Sequence, residues 1–326
     1  MATYKGIKGF SIQNLSADPS NPIEGEMWYN STSGVWKVEE ITAAGAWATG
    51  NNLNTARKTL GGAGTQTVAL AFGGDTPPNT GATEEYDGTS WTNNPTGLNT
   101  ARRFLAGAGT QTAALAFGGN TTTAVAATEE YDGSTWTTSP SSLATAKYGL
   151  AGAGTQTAGL AFGGTSPGGT DQGVAEEYDG STWTTGGTMG SARRYLAGCG
   201  LQTAGLAFGG SITGTPQSIT EEYDGASWTA GGTLNTARQL LSGTGLQTAA
   251  LAFGGDIPPK TGATEEYDGT SWVTSPGSMN TARSRSAGCG TQTAGLVFGG
   301  ETTVVVASTE EWTGAGAAVT KTITVS

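Results

Sequence analysis

Hydrophobic positions along this chain come in short runs of about five residues separated by polar, glycine-containing segments. The run at 68–72, Val-Ala-Leu-Ala-Phe, has no polar residue, so a strand there should be buried on both faces. Side chains alternate along a strand, so Leu70 and Phe72 share one face while Ala69 and Ala71 share the other. The pattern predicts sheets that stack with large side chains of one against small side chains of the next.

The same run returns with a period of 45 or 46 residues. Phe-Gly-Gly begins at Phe72, Phe117, Phe162, Phe208, Phe253 and Phe298. A Glu-Glu-aromatic box follows each one, with the aromatic at Tyr86, Tyr131, Tyr178, Tyr223, Tyr267 and Trp312. A basic residue opens each cycle, at Arg57, Arg102, Lys147, Arg193, Arg238 and Arg283. Such self-similarity indicates a repeat architecture with one supersecondary unit per cycle.

Turn residues divide each cycle into four predicted strands, which in the first cycle cover 58–63, 67–72, 82–86 and the residues around Trp91. Asp87-Gly88 has the sequence of a tight hairpin turn, and glycine is too frequent for a helix. Trp47 precedes Arg57 much as Trp91 precedes Arg102. We therefore expect a strand near Trp47 to complete the last sheet beside the C-terminal strand, which would remove exposed edges.

The opening Arg, the Gly-Gly after the second strand, and the closely spaced Tyr and Trp resemble the kelch repeat over residues 57–326. This resemblance implies an all-β, kelch-like β-propeller, and the count favours six four-stranded blades. The box reads Tyr-Asp-Gly here where kelch repeats usually have Tyr-Asp-Pro, which places the chain on a divergent branch. The resemblance implies a fold and says little about function.

Residues 1–56 lie outside the repeat and are predicted to form an extended anchor and a β-hairpin. The stretch 26–38, Glu-Met-Trp-Tyr-Asn-Ser-Thr-Ser-Gly-Val-Trp-Lys-Val, resembles a hairpin of tailed-phage virion proteins, and residues 310–326 are similar to the ends of kelch-repeat proteins from marine phages. Trp28, Tyr29 and Trp36 are therefore candidate contacts with other virion proteins.

Composition excludes several classes of function. The chain has no histidine and two cysteines, which removes Ser-His-Asp triads and the usual zinc and copper ligand sets. Asp75 and Asp256 could ligate calcium but stand in Pro-rich turns without a ligand cluster, so no metal or cofactor is expected. A net charge of −11 disfavours nucleic acid. No apolar stretch is long enough to span a membrane, and no secretory signal is expected.

The paired glutamates and the opening basic residues could form catalytic or anion sites. Because they recur in every cycle, we expect salt bridges between blades and hence a structural role. The Trp and Tyr series is expected in the core between blades. Cys199 and Cys289 occupy equivalent positions two cycles apart, too far for a disulfide, and are expected to be buried thiols.

Spacing distinguishes the two ends of each predicted sheet. The separation from the basic residue to Phe is 15 in all six cycles, whereas the second-to-third and fourth-to-first connections differ in length and sequence. Variable loops on a rigid scaffold commonly carry binding. We expect recognition on that face, and the candidate binding residues are Asp75, Asn120, Asp171, Gln172 and Asp256, with the longest loop at 165–175 contributing most.

These inferences favour a phage virion protein without enzymatic activity: a tail fibre, spike or decoration subunit, assembled in the host cytoplasm. Its N-terminal segment would bind other virion proteins, and its variable face would bind a host surface glycan or protein. A cellular protein-interaction propeller is the alternative. A kelch sugar enzyme is a third class, but it would need a single acid–base constellation, and none is found outside the repeated residues.

Overall fold

The computed structural model describes residues 13–19, 26–41, 44–315 and 318–323. Over these residues the chain is built from strands and turns, with no helix. Two compact units can be distinguished, one formed by Met1–Gly45 with Gly314–Ser326 and the other by Ala46–Thr313.

The strands before the first repeat are β1 (Gln13–Leu15), β2 (Met27–Asn30), β3 (Val35–Ile41) and β4 (Ala46–Gly50). The first two repeats contain β5 (Gly61–Gly64), β6 (Ala69–Phe72), β7 (Thr83–Tyr86), β8 (Trp91–Asn94), β9 (Ala106–Gly109), β10 (Ala114–Phe117), β11 (Thr128–Tyr131) and β12 (Trp136–Thr138). The third and fourth contain β13 (Tyr148–Thr155), β14 (Ala158–Thr165), β15 (Val174–Tyr178), β16 (Trp183–Thr188), β17 (Ala197–Leu201), β18 (Ala204–Phe208), β19 (Ser211–Ile212), β20 (Thr215–Pro216), β21 (Thr220–Tyr223) and β22 (Trp228–Ala230). The last strands are β23 (Ser242–Leu246), β24 (Ala249–Phe253), β25 (Thr264–Tyr267), β26 (Trp272–Thr274), β27 (Ala287–Gly290), β28 (Ala294–Phe298), β29 (Thr309–Thr313) and β30 (Ala318–Ile323).

The unit Ala46–Thr313 contains six four-stranded antiparallel sheets, called here sheets 1 to 6 after the repeat that supplies their first strand. In sheets 1 to 5 the four strands follow one another in sequence order, and the short hairpin β19–β20 lies in a loop of the fourth repeat. In sheet 6 the fourth strand is β4, which pairs with β29 so that Trp47 lies opposite Trp312. The predicted strand at Trp47 is thereby confirmed.

The first strand of each sheet contacts the first strand of the next, in the order β5, β9, β13, β17, β23, β27 and back to β5. The sheets therefore follow one another in a closed succession, with their first strands innermost. This is a propeller-like, all-β arrangement.

Phenylalanine and glycine make the sheets fit. A Cβ placed on Gly107 of sheet 2 would come within 2.5 Å of the ring of Phe72 in sheet 1, and the equivalent pair Gly62–Phe298 joins sheet 1 to sheet 6. Each phenylalanine also packs on the tryptophan of the following sheet, as Phe72 does on Trp136 with ring centroids 4.9 Å apart. Large side chains thus enter gaps left by small ones, as the run at 68–72 predicted.

The other unit contains one sheet with the order β1-β2-β3-β30. β1 pairs with β2 in parallel, and the remaining pairs are antiparallel. The hairpin β2–β3 matches the one expected at 26–38, and its turn is held by Asn30, whose Oδ1 accepts the N–H groups of Thr32 and Ser33.

The division of the chain differs from the predicted boundary at residue 56. It falls at Gly45, because β4 is hydrogen-bonded into sheet 6, and the segment after Thr313 belongs to the smaller unit, because β30 pairs with β3. Strand pairing between distant parts of the sequence decides both boundaries.

Candidate functional site

The six basic residues that open the repeats form buried ion pairs. Each pairs with the first glutamate of its own repeat: Arg57–Glu84 (3.0 Å), Arg102–Glu129 (3.2 Å), Lys147–Glu176 (3.0 Å), Arg193–Glu221, Arg238–Glu265 (2.9 Å) and Arg283–Glu310 (2.6 Å). Burial lowers the pKa of Arg57 to about 10, an effect that the charge of Glu84 partly offsets, so this guanidinium stays protonated at neutral pH.

These pairs lie within one repeat, which corrects the expectation that they bridge two blades. The neighbouring sheet is reached through other atoms of the same residues. The carbonyl of Arg102 accepts the N–H of Gly74, which follows the second strand of sheet 1. The carboxylate of Glu129 also accepts the N–H of Asn99, 2.6 Å away in the segment that connects sheets 1 and 2. The carboxylate of Glu129 and the main-chain carbonyl of Arg102 therefore hold the connection between sheets 1 and 2 in place.

In five of the six repeats the second glutamate of the pair contacts the next sheet. Glu85 accepts a hydrogen bond from the hydroxyl of Tyr131, and the same contact joins Glu130 to Tyr178, Glu177 to Tyr223, Glu222 to Tyr267 and Glu311 to Tyr86. The pKa of Tyr223 is raised to about 12, mainly by burial and to a smaller extent by the hydrogen bond to the Glu177 carboxylate. Trp312 has no hydroxyl to donate, and its ring packs within sheet 6 on Trp47, with centroids 5.4 Å apart. The two carboxylates thus have separate structural roles.

A third contact, not anticipated from the sequence, comes from the glutamine of the recurrent Thr/Leu-Gln-Thr turn. The side-chain amide of Gln111 donates to the carbonyls of Ala69 (2.9 Å) and Tyr86 (2.7 Å) in the preceding sheet. All six glutamines do the same, at Gln66, Gln111, Gln156, Gln202, Gln247 and Gln292. The exact repetition of this residue was the available signal, but its partners are 25 or more residues away in most cases and could not be named from spacing.

The tryptophans complete each junction. Trp136 donates its indole N–H to the hydroxyl of Thr83 in the preceding sheet (2.9 Å), and Trp47, Trp91, Trp183 and Trp272 bond equivalent threonines. In the remaining junction the threonine is replaced by Ala175, and the buried indole nitrogen of Trp228 has no partner among the residues that the structure describes. Tyrosine and tryptophan are thus core residues between sheets, as expected.

The predicted binding loops emerge at the end of the sheets where first strands begin and second strands finish, because Lys58 pairs with Asp75 and Arg103 with Asn120 in isolated bridges. Asp75 is buried and its carboxylate meets Arg103 of the next repeat at 3.3 Å. Asp171 similarly meets Arg194 at 3.6 Å.

Two further loop residues keep polar groups at the surface. Gln172 is half-buried and bonds Thr170, and Asp256 is half-buried at the start of its loop. Asp75 in the loop of the first repeat and Asp171 in the loop of the third repeat therefore each form an ion pair with an arginine of the next repeat.

At the centre of this end lies a ring of backbone hydrogen bonds that the sequence did not reveal. Each bond runs from an N–H to the carbonyl of the equivalent residue in the preceding repeat, at 2.7–3.0 Å, and the last bond returns to the first. The ring residues, called here the central mouth, are Thr59, Phe104, Gly149, Tyr195, Leu240 and Arg285. All six have positive φ, between 52° and 63°.

The conformation of these residues is costly for all but glycine, by about 1–2 kcal/mol per residue. Strained backbone of this kind persists where the surrounding structure imposes it, and it is concentrated at functional sites. The residue two positions after each basic residue is different in every repeat, although the spacing around it is constant. This variability at a fixed position was the sequence signal for the ring.

Aromatic side chains occupy one side of the central mouth. The rings of Phe104 and Tyr195 lie 5.3 Å apart, and those of Phe104 and Tyr148 lie 6.1 Å apart. A Cβ on Gly149 would come within 2.7 Å of the Tyr195 ring, so the missing side chain leaves room for that ring. Burial, with a smaller contribution from Tyr148, raises the pKa of Tyr195 against the opposing charges of Arg194 and Arg285.

Positive charge is concentrated at the same end. Apart from the six buried ion pairs, every Lys and Arg of Ala46–Thr313 lies here, namely Lys58, Arg103, Arg194, Lys260 and Arg285. Four carboxylates accompany these five cations, whereas the rest of the unit has six cations and 17 carboxylates. This end of the sheets therefore carries one positive charge in excess, on a unit that is otherwise strongly acidic.

The candidate anchor residues occupy different environments. Trp28 is fully buried and its indole N–H donates to Asp18 at 3.0 Å, so it cannot serve as a surface contact in this conformation. Tyr29 and Trp36 are half-buried, with their rings 5.3 Å apart. Hydrogen bonds from Lys37, Asn30 and Trp28 lower the pKa of Asp18 to about 2. Of the three aromatics, Tyr29 and Trp36 retain exposed surface.

The remaining candidate groups are inert by environment. Cys199 and Cys289 are free and buried, and burial raises the pKa of both thiols. Among the described residues, no three His, Cys, Asp or Glu side chains are grouped so that they could hold a metal ion. In the same part of the chain, no helix has the length and apolar character needed to cross a membrane.

Comparison with known proteins adds no assignment: no protein-family model matches this chain, and no curated protein matches it either.

Proposed function

We propose that Ala46–Thr313 is a six-bladed, kelch-like β-propeller that acts as a binding module without catalytic activity. Support for six blades comes from three sets of contacts that each return from the sixth repeat to the first: the backbone ring, the glutamine bonds and the phenylalanine–glycine contacts. A closed succession leaves no sheet face uncovered between the first and last repeats.

One observation carries the binding role. Side chains at the junctions recur from repeat to repeat, whereas the central mouth presents a different residue from each repeat on a strained, hydrogen-bonded ring. A protein that needed only a rigid body would not require six different side chains at this one position. The mouth and the loops around it are therefore the proposed recognition surface.

We further propose that the chain is a virion structural protein of a tailed phage, a tail fibre, spike or decoration subunit, that binds a host-surface glycan or protein. The hairpin sequence at 26–38 and the repeat sequence support this role. In that setting the smaller unit would contact other virion proteins, through Tyr29 and Trp36 in preference to the buried Trp28.

The recognition surface is tested by a pair of variants. The loop at 165–175 is replaced by residues 75–83 of the first repeat, and separately Thr155→Leu alters the opposite end of the sheets, where leucine occurs naturally at Leu201 and Leu246. Attachment to host cells is compared at equal folded fraction. We expect the loop replacement to reduce attachment and Thr155→Leu to preserve it; the reverse result would place recognition at the other end.

The virion assignment is tested by mass spectrometry of purified particles and by the genes that flank the coding sequence. We expect the chain in particles at a fixed stoichiometry to the capsid protein, and neighbouring capsid, portal or tail genes. Detection only in cell extracts, without such neighbours, would overturn the assignment in favour of a cellular protein-interaction propeller.

A further inference from the structure

The central mouth combines an excess of positive charge with aromatic surface. Glu301 is the acidic group nearest its cationic side, and three cations share it: Lys58 at 2.7 Å, Arg285 in direct contact, and Lys260 at 3.9 Å. One carboxylate cannot neutralise three positive charges. These side chains remain partly exposed, with 21% of Lys58 and 29% of Arg285 accessible, so an anion from solution can reach them.

Arg285 lies opposite Gly149 in the ring, and the rings of Phe104 and Tyr195 lie on either side of Gly149. Arg285 therefore lies across the centre of the mouth from the two aromatic rings. On the aromatic side, the guanidinium of Arg103 lies 5.9 Å from the centroid of the Phe104 ring and that of Arg194 lies 5.4 Å from the centroid of the Tyr195 ring, each over one face of its ring. The hydroxyl group of Tyr195 makes that side amphipathic, with an apolar ring and a polar tip. A ligand that fills the mouth must present an anion to one side and a flat, largely C–H surface to the other.

We propose that the central mouth binds an acidic saccharide, with its carboxylate or sulfate held by Arg285 and Lys58 and the C–H face of its pyranose ring packed on Tyr195 and Phe104. This inference rests on the proposed binding function and specifies its ligand. The polar groups at the rim, including Tyr148, are suited to the hydroxyl groups that the rest of the sugar presents.

A saccharide fits these groups better than an acidic peptide does. A peptide strand would seek unpaired backbone groups, but the N–H and carbonyl groups of the six ring residues are bonded to one another. Recognition at the mouth must therefore come from side chains, and those available are aromatic rings, hydroxyls and guanidinium groups. The anion alone could be inorganic, which the choice of probes resolves.

The test uses the full chain and isothermal titration with five probes. Three share a galactose-type ring: a galacturonate tetrasaccharide, a sulfated galactose tetrasaccharide and the neutral galactose tetrasaccharide. The fourth is a tetraglutamate peptide and the fifth is inorganic sulfate. We expect one or both acidic saccharides to bind, with weaker binding at higher salt because screening reduces the ionic contribution. The neutral sugar, the peptide and sulfate are expected to bind at least about ten-fold more weakly.

Variants then locate the site. Arg285→Gln is expected to weaken binding of the acidic saccharide by about ten-fold or more, since it removes a charged hydrogen-bonding group. Lys58→Gln is the second variant, should the first fail to fold. Tyr195→Leu should weaken binding of the acidic saccharide while leaving any binding of sulfate unchanged. Leucine is already tolerated in this backbone conformation at Leu240. Thr155→Leu at the opposite end is the matched control and should bind as the unaltered chain does.

Each other result overturns the proposal in a defined way. Equal binding of the neutral and acidic sugars would exclude the ionic contact, preferred binding of the peptide would exclude the saccharide, and unchanged affinity in Arg285→Gln and Lys58→Gln would exclude the mouth. If no acidic saccharide binds while the chain still attaches to host cells through the variable loops, the ligand is wrong and the proposed binding function stands. If the chain neither binds an acidic saccharide nor attaches to host cells, both the proposed ligand and the proposed binding function are refuted.

Discussion

At the junctions between sheets, equivalent positions hold the same side chain in nearly every repeat, whereas at the central mouth the six equivalent positions hold six different ones. Both regions use the same backbone. At a junction, Gln111 donates to two carbonyls of the preceding sheet and Tyr131 donates to Glu85, so a change of either side chain leaves a polar group of that sheet without its partner. At the mouth, the ring of main-chain bonds holds the backbone of Phe104 and Arg285, and these bonds do not depend on which side chain the residue carries.

A repeat protein can thus have a regular core and a surface that differs from repeat to repeat. Side chains that repeat hold the sheets together, and a ring of main-chain bonds carries the side chains that do not. The junctions should therefore govern stability and the mouth should govern binding. Substitutions at the junctions and at the mouth separate these two properties.

The buried ion pair provides the sharpest contrast. Arg102→Met removes the partner of Glu129 and two hydrogen bonds to backbone carbonyls, which leaves a buried carboxylate unpaired. We expect the free energy of unfolding to fall by about 3–5 kcal/mol. The matched variant is Arg285→Met at the mouth, where Glu301 keeps Lys58, and the expected loss is below about 1 kcal/mol. Urea unfolding measures both, and equal losses would remove the distinction between the regions.

Packing at the junction is tested by Gly107→Ala. The added methyl group would come within 2.5 Å of Phe72, so that ring or the strand must shift, and we expect a loss of about 1–3 kcal/mol. Gly168→Ala, in a loop where the added atom meets nothing within 4 Å, is the control and should cost far less. Thermal unfolding of the two variants compares them, and similar melting temperatures would show that the sheets are not closely fitted.

One junction can be improved. Ala175→Thr supplies the hydroxyl that the other five junctions have, and it should accept the indole N–H of Trp228. We expect stability to rise by about 1 kcal/mol. Ala175→Val has a similar shape without the acceptor and should give no such gain. If both variants behave alike, size and not the hydrogen bond explains the effect.

The smallest effect concerns acid. Hydrogen bonds from the N–H of Thr182, then from the hydroxyl and N–H of Ser181, lower the pKa of Asp179 to about 2, and backbone N–H groups lower the pKa of Asp87, Asp132, Asp224 and Asp268 in equivalent turns. A folded-state pKa below the unfolded one stabilises the fold above about pH 4, and this stabilisation is lost as the pH falls towards 2.

Replacing all five with Asn keeps an oxygen acceptor but removes the titration. The melting temperature of that variant should therefore fall less between pH 4 and pH 2 than that of the unaltered chain. A parallel decline in the two proteins would show that these turns do not contribute to acid sensitivity. Because the turns lie outside the central mouth, binding of a mouth ligand at neutral pH should be unaffected.

The sequence by itself determined the repeat, its four strands and the residues that fill the core. The reason is that these features are local. The alternation of large and small apolar side chains at 68–72 and the Asp-Gly turn each specify structure within a few residues, and the repeat provides the same kind of pattern in every cycle. It also placed the basic residues and glutamates together, since both recur at fixed spacing. The strand at Trp47 followed from the same logic, because Trp47 stands before Arg57 as Trp91 does before Arg102.

Only the tertiary structure decided which partners those residues meet and where the variable positions gather. Arg102 and Glu129 belong to the same repeat, whereas Glu85 and Tyr131 belong to different ones, and no spacing rule separates the two cases. Thr59 and Arg285 are more than 220 residues apart in sequence but share a hydrogen bond of 2.8 Å. In the sequence, each ring residue is one irregular position at or just before the start of a first strand. Closure of the sheets brings the six to one axis, because each first strand packs beside the next.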